Sequence, residues 1–341
     1  MNLSFIMPHL LHTFKSEHDL VKSIDELSQK FTENRDRIQD YLSDKRLVSA
    51  YTAFYLTTNL PKLAAVLEWM PPAWLEEVRA SHLIDLGAGP GTFSIAFREW
   101  LNTQAAGITQ IETSPMMREQ AAKLWQGMYP AEKLNQSLTI KDGGDKKFLL
   151  FGHAANEMGA KKAIDYIDAV NPSNILFIEP GTKDFFPVML EIRDHLIKKG
   201  FNIIFPCPEP VTCPMKGTSD WCHQFIYVKQ TAEIERLSQM ARKDRRLLPL
   251  TVQAFTKSVI APEAKERLVR VHGDTKFSYE WDVCLGEKIE RYQIMKRSYG
   301  KKTLKQIDEV LAGAAVETQL DKELEQSKRV KLLTVNKKLI E

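Results

Sequence analysis

The chain has 341 residues and a formal net charge of +3, with 43% hydrophobic and 27% charged side chains, which suits a globular protein burying one large core or two modest ones. No apolar run reaches the ~18–20 residues that a membrane span needs, so no membrane partner is expected. The stretch to Lys15 has one basic residue, with acids following at Glu17 and Asp19; it reads as neither a secretory signal nor an Arg-rich transit peptide, and a cytoplasmic location is the expectation.

Residues 17–80 are expected to be helical, since Leu20, Ile24, Leu27 and Phe31 recur at helical spacing and Tyr51, Phe54, Tyr55, Leu60, Leu63 and Leu67 continue the pattern. Pro71-Pro72 interrupts it, and a short helix leads into a first strand, Leu83-Ile84-Asp85-Leu86. A glycine-rich turn, a helix through Phe93, Phe97 and Trp100, and a second strand over 107–111 follow. Pro115 then sits at the first position of a helix, where proline is tolerated. Leu138 to Ile140 and Phe148 to Phe151 are the expected third and fourth strands, Asn174 to Ile178 the fifth and Phe201 to Phe205 the sixth, with helices between the later ones. This alternation implies an α/β fold with a mostly parallel, doubly wound sheet. After Pro206 the rhythm is lost in a Cys/Pro-rich loop, a basic stretch and β-like pieces at 256–260, 266–272 and 279–285; residues 302–341 read as an amphipathic helical tail. The expected units are a helical segment (1–80), a cofactor domain (81–206), a Cys-rich basic region completing the fold (207–301) and the tail (302–341).

Charge is unevenly placed. Residues 227–305 hold 18 Lys and Arg against 10 Asp and Glu, which points to a polyanion partner, with a solvated surface as the alternative.

The turn Asp85-Leu86-Gly87-Ala88-Gly89-Pro90-Gly91-Thr92 is the strongest chemical signal. Glycines between a strand and a helix let backbone approach a ligand and aim helix N–H groups at it. The dinucleotide fingerprint wants its third glycine one place later, where Thr92 stands, so the spacing favours S-adenosylmethionine over NAD. Asp85, Gly87, Ala88, Gly89, Pro90 and Gly91 are the expected cofactor-binding residues, with Glu112 placed to hold the ribose diol and Asp142 the adenine amino group. His153, after the fourth strand, is either a base or a packing residue.

Three cysteines, Cys207, Cys213 and Cys222, lie close together and Cys284 is the fourth. Three soft ligands on one loop and a distant fourth can staple that loop to a later strand through a metal. The spacing is that of neither zinc fingers nor bacterial ferredoxins, so zinc and iron–sulfur stay open beside four free thiols acting as small hydrophobes. Pro206-Cys207-Pro208 and Thr212-Cys213-Pro214 superficially resemble the two nucleophile motifs of 5-methylcytosine RNA methyltransferases. Both follow the sixth strand, however, and those motifs follow two different strands. No Asn-Pro-Pro-aromatic motif is present either.

Together Ala50-Tyr51, the glycine turn, Asn156-Glu157-Met158, Glu179-Pro180-Gly181-Thr182, Pro206-Cys207-Pro208, Cys213-Pro214, Trp221-Cys222-His223 and Cys284 with Gly286 resemble the ribosomal small-subunit methyltransferase-like family. The likeness runs over roughly residues 45–300. It implies a class I S-adenosylmethionine-dependent fold, a [4Fe–4S] cluster on the four cysteines (zinc being the alternative), and association with the small ribosomal subunit during its assembly. It also implies contact of the basic half with small-subunit rRNA, with no DNA partner. Arg242, Lys243, Arg245 and Arg246 are the expected phosphate contacts. Glu209 stands where the family usually has His, and Lys147 where an acid often precedes the fourth strand. Lys296, Arg297, Lys301, Lys302 and Lys305 take the place of the family's basic ending. An RNA-binding role in small-subunit assembly is the favoured reading, with methyl transfer to rRNA left open beside it and a catalytically silent assembly factor as the alternative. A small-molecule methyltransferase leaves the basic half and the cysteines unexplained. No catalytic residue is assigned.

Overall fold

The computed structural model describes residues 2–32, 41–102, 107–139, 146–336 and 338–340. A helical layer comes first: α1 (Leu3–Ile6), α2 (Glu17–Thr32), α3 (Lys45–Tyr51), α4 (Thr57–Leu67) and α5 (Pro72–Arg79). Asp44 caps α3 by accepting from the backbone N–H groups of Arg46 and Leu47, as an N-cap carboxylate does. A π-helical turn, Thr52–Leu56, links α3 to α4.

The alternating part follows in the expected order. It comprises β1 (His82–Leu86), α6 (Thr92–Leu101), β2 (Ile108–Ile111), α7 (Pro115–Met128), β3 (Asn135–Ser137), β4 (Lys147–Gly152), α8 (Ala155–Val170), β5 (Asn174–Pro180), α9 (Phe186–Lys198) and β6 (Asn202–Phe205). Then come β7 (Gln224–Tyr227), α10 (Ala232–Met240) and β8 (Leu247–Thr256). The sheet order is β3-β2-β1-β4-β5-β8-β6, with β7 also pairing with β8. β1 to β5 are parallel, and β8 runs antiparallel between β5 and β6. Strands covered on both faces read as continuous apolar runs, and Phe148 to Phe151 and Ile175 to Ile178 are all fully buried. One face packs against α3 to α7 through Phe54, Trp74 and Phe97; the other packs against α8 and α9 through Ala163, Ile167 and Ile192.

The C-terminal part is a small barrel built from β9 (Glu266–Asp274), β10 (Ser278–Cys284), β11 (Ile289–Met295), α11 (Lys301–Asp308), β12 (Ala315–Glu323) and β13 (Lys328–Val335). A two-residue strand, β14 (Lys338–Leu339), follows on β13. β9 pairs with β10 and β12, β12 with β13, and β13 closes on β11 in parallel. Trp281, Val283, Tyr292, Ile294 and Leu332 fill its interior, with Ile307 of α11 against them.

Three expectations are corrected. The third strand is Asn135–Ser137, and Leu138 is exposed. Thr256–Ile260 is not a strand of its own; β8 ends at Thr256 after ten residues that begin in the basic stretch. The helical tail stops at Asp308, and the boundary placed after residue 301 falls inside the barrel. Gly313, at φ +94°, turns the chain there, and the alternating burial of Val330 and Leu332 about exposed Lys331 belongs to a strand. Among the described residues no helix is long and apolar enough to cross a membrane.

Candidate functional site

The strand order reverses about β1, and a crevice forms at that point of an open α/β sheet. A cavity of about 160 Å³ opens there, lined by Leu86 to Gly89, by Glu112 at the end of β2 and by Gly152 to Ala154 after β4. Tyr41, Tyr51 and Asn59 close it from the helical layer.

The glycine turn is left-handed throughout, with φ of +67°, +53° and +89° at Gly87, Gly89 and Gly91. A Cβ on Gly87 would lie 2.7 Å from that of Ala154, whereas nothing lies within 4 Å of one on Gly89, which faces the cavity. Glu112 ties the turn to β2: Gly89 N–H donates to its Oε2 at 2.9 Å and Ser114 N–H to its Oε1 at 2.7 Å.

Of the expected cofactor residues, Gly87, Ala88, Gly89 and Glu112 line the cavity. Pro90 and Gly91 belong to the turn into α6 rather than to the lining. Asp85 is buried, and its Oδ2 accepts from the backbone N–H and hydroxyl of Ser94 at 2.9 and 2.7 Å. It pins α6 to β1. Burial pushes its carboxyl up to about 6, against those hydrogen bonds. Asp142 lies outside the described residues.

The loop after β4 carries His153, the candidate base or packing residue, and Asn156 and Glu157, known from the sequence only as motif members. His153 holds a left-handed backbone, φ 59°, uncommon for a non-glycine residue and a mark of functional segments. Its Nε2 shares a 2.9 Å hydrogen bond with Nζ of Lys62, which is buried on α4. Burial, then the charges of Lys62 and Arg245, holds His153 well below the ordinary histidine range; burial, then Arg245, lowers Lys62. His153 lines the cavity, and Lys62 lies behind it. Glu179, at the end of β5 and fully buried, fixes the same loop. Its Oε1 accepts from Ala154 N–H (3.0 Å) and Ala155 N–H (2.8 Å), and its Oε2 from Asn156 N–H (3.3 Å). Desolvation pushes its carboxyl up to about 8, those bonds notwithstanding. Glu157 faces the cavity, its carboxyl raised to about 7 by desolvation and by Glu112. Two carboxylates on one wall suit a cationic ligand.

The basic stretch divides. Arg242 and Arg246 are exposed, and with Lys243 they line a pocket of about 300 Å³. Arg245 also lines that pocket, but its guanidinium donates to Asn59 Oδ1 at 3.2 Å and lies over the Tyr55 ring.

The three neighbouring cysteines and the distant Cys284, at the end of β10, line one small cavity between the sheet and the barrel. Hydrogen-bond donors reach three of the sulfurs: Arg193 at Cys207, Met215 N–H at Cys213 and Gly286 N–H at Cys284. Gln224 Nε2 is 3.7 Å from Cys222 Sγ. Glu209 lies against Gly286. Donor chemistry and hydrogen bonding thus fit a thiolate-bound group. Among the described residues, however, no three His, Cys, Asp or Glu side chains are set around a point that would hold a metal ion.

The family described as mitochondrial small ribosomal subunit Rsm22 matches residues 45–280. The chain belongs to that family. The match takes in the cofactor cavity and Cys207, Cys213 and Cys222, and stops short of Cys284 and most of the barrel. No curated protein sequence matches this one. Among solved structures, the plantazolicin methyltransferase BpumL with S-adenosylhomocysteine is 13% identical over 71% of this chain and 99% of its own, TM-score 0.37. The ribosomal protein L11 methylase of Lactobacillus delbrueckii subsp. bulgaricus is 14% identical over 42% and 69%, TM-score 0.31. TrmK of M. capricolum is 10% identical over 57% and 71%, TM-score 0.31. The fold assignment rests on strand order instead: five parallel strands followed by an antiparallel one inserted beside the sixth make a class I methyltransferase sheet.

Proposed function

We propose that the cavity holds S-adenosylmethionine and that the protein acts with the small ribosomal subunit, methylating its rRNA. The observation that carries this reading is the Glu112-tied glycine turn lining a cavity at the switch point of this sheet, in a chain of a small-ribosomal-subunit family. Glu112 and Glu157 line the cavity, where their carboxylates would suit a positively charged donor. Methyl transfer from a bound sulfonium needs chiefly an acceptor placed in line. An N–H or O–H acceptor also sheds a proton, for which His153 on the cavity lining would be the base.

Calorimetry with S-adenosylhomocysteine and NAD in parallel tests the cofactor. Uptake of the first alone is expected, and binding of NAD alone would end the reading. Transfer of labelled methyl to small-subunit rRNA, lost in His153→Ala with cofactor uptake intact, tests the chemistry. Uptake without transfer in the wild type identifies a silent assembly factor.

We also propose that the four cysteines hold a [4Fe–4S] cluster, which would clip Cys284 of the barrel to the loop bearing the other three. The shared cavity and the donors around the sulfurs support it. Anaerobic purification is expected to yield about four iron and four sulfide per chain, and Cys213→Ser is expected to lose the brown chromophore. Stoichiometric zinc without iron identifies the alternative.

A further inference from the structure

The barrel has a topology with consequences of its own. Numbered from its first strand, it runs strand 1 (β9), 2 (β10), 3 (β11), helix (α11), 4 (β12), 5 (β13). Strand 1 lies between 2 and 4, strand 5 pairs antiparallel with 4, and strands 3 and 5 close it in parallel. The helix between strands 3 and 4 places Ile307 against the interior, and Tyr279 donates to Asp308 from the barrel wall. That connectivity is the OB-fold, a Greek-key barrel which takes oligonucleotides or oligosaccharides on the outer face of strands 2 and 3, between the 1–2 and 4–5 loops. Fold alone does not assign function, so the residues on that face decide.

Tyr279, Trp281, Tyr292 and Ile294 point inward, leaving Glu280, Asp282, Arg291, Gln293 and Met295 outward, with Glu280 opposite Gln293. The register sets the loops at the two ends of this face: Ser278 opposes Met295 beside the 1–2 loop, and Lys328 opposes Tyr292 beside the 4–5 loop. At the tip of the 1–2 loop Phe277 is 68% exposed, with Lys276 Nζ 5.7 Å from its ring centre. An aromatic ring held out in water beside a cation is a stacking platform for a base. Across the face Arg291 bridges Asp282, and Arg329 donates to Gln293 at 3.2–3.3 Å. Lys296 engages Asp274. Asp282 and Asp274 are thus paired; Glu280 adds one carboxylate to the face, while Lys276 and Arg329, which have no carboxylate partner among the described residues, supply positive charge for a backbone. A base-stacking ring flanked by cations favours single-stranded nucleic acid.

We infer that the outer face of β10 and β11, with the loop at 275–277, binds single-stranded RNA. This deepens the ribosomal reading and rests on it for the choice of RNA. It is a second contact, separate from the cofactor cavity.

The test uses the full chain and a fluorescein-labelled 12-nucleotide oligouridine, with its duplex as a control. Phe277→Ala is expected to weaken single-strand binding about tenfold, the size of one lost stacking contact. Arg329→Gln is expected to flatten the dependence of log K on log salt by about 0.7. Tyr227→Ala, an aromatic 67% exposed outside the barrel, is expected to bind as wild type. Unchanged S-adenosylhomocysteine uptake by each variant shows that it is folded. Equal affinity of wild type and Phe277→Ala overturns the inference, as does preference for the duplex or a wild type that binds no oligouridine. Co-sedimentation of the wild type with small subunits tests the ribosomal reading separately, so that reading survives if Phe277→Ala sediments and binds like wild type. A crosslink from the 275–277 loop to a ribosomal protein instead of RNA also overturns the inference.

Discussion

Replacing Glu179 by alanine is expected to lower the free energy of unfolding by about 4 kcal/mol, since it strands buried N–H donors that each cost about 1–3 kcal/mol when left unmatched. The donors are Ala154, Ala155 and Asn156, and they are the backbone of the loop that presents His153 to the cavity. Glu179→Gln keeps an oxygen where Oε1 accepts the two shorter bonds, so its loss is expected to be about 1 kcal/mol. Urea midpoints at constant slope measure both. A fall below about 1 kcal/mol for alanine would show that the loop is held by something else. The same residue sets a pH signature. Its carboxyl titrates near 8 when folded and near 4.3 when unfolded. Between those values the native state holds the extra proton, so stability falls as pH rises through that window. Wild type measured against Glu179→Gln is expected to show that slope, because Asp85 and Glu157, which are raised in the same sense, are common to both.

The residues that were legible in sequence are those whose geometry is local. A strand, three glycines and a helix announce themselves within ten residues, and the left-handed angles at Gly87, Gly89 and Gly91 are what those glycines are for. The four cysteines were legible as a group, and they do share one cavity. Lys62 was not. On a helix whose neighbours are apolar, a lysine reads as the solvated edge, and only tertiary packing brings its Nζ to His153, 91 positions away. Arg245 misled for the converse reason: in a run of cations it reads as surface, yet it is folded in toward Asn59 and Tyr55. The barrel was missed because its strands are charged on one face. Ala315–Glu323 buries only its first residues and leaves most of its length exposed, so Lys, Glu and Leu there carry a composition that also suits a helix. Pro249 hid β8 by the rule that proline leaves a sheet interior; it lies near the start of the strand, where Gly181 N–H donates to its carbonyl.

Gly87 and Gly89 separate the cavity's architecture from its occupancy. Gly87→Ala sets a methyl 2.7 Å from the Cβ of Ala154, on the segment that Glu179 clamps from the other side. The turn cannot yield toward the clamp, so it must move outward and take the Gly89 amide off Glu112. S-adenosylhomocysteine affinity is then expected to drop by a hundredfold or more, about 2.7 kcal/mol, together with about 2 kcal/mol of stability from the contact and the left-handed backbone. Gly89→Ala meets no atom within 4 Å. Its strain is about 1 kcal/mol, and its methyl enters the volume a ligand would fill. The two variants are therefore expected to lose affinity alike while differing in thermal midpoint, with Gly87→Ala the lower. Were Gly89→Ala to bind S-adenosylhomocysteine as tightly as wild type, the cofactor would have to lie elsewhere than against this turn.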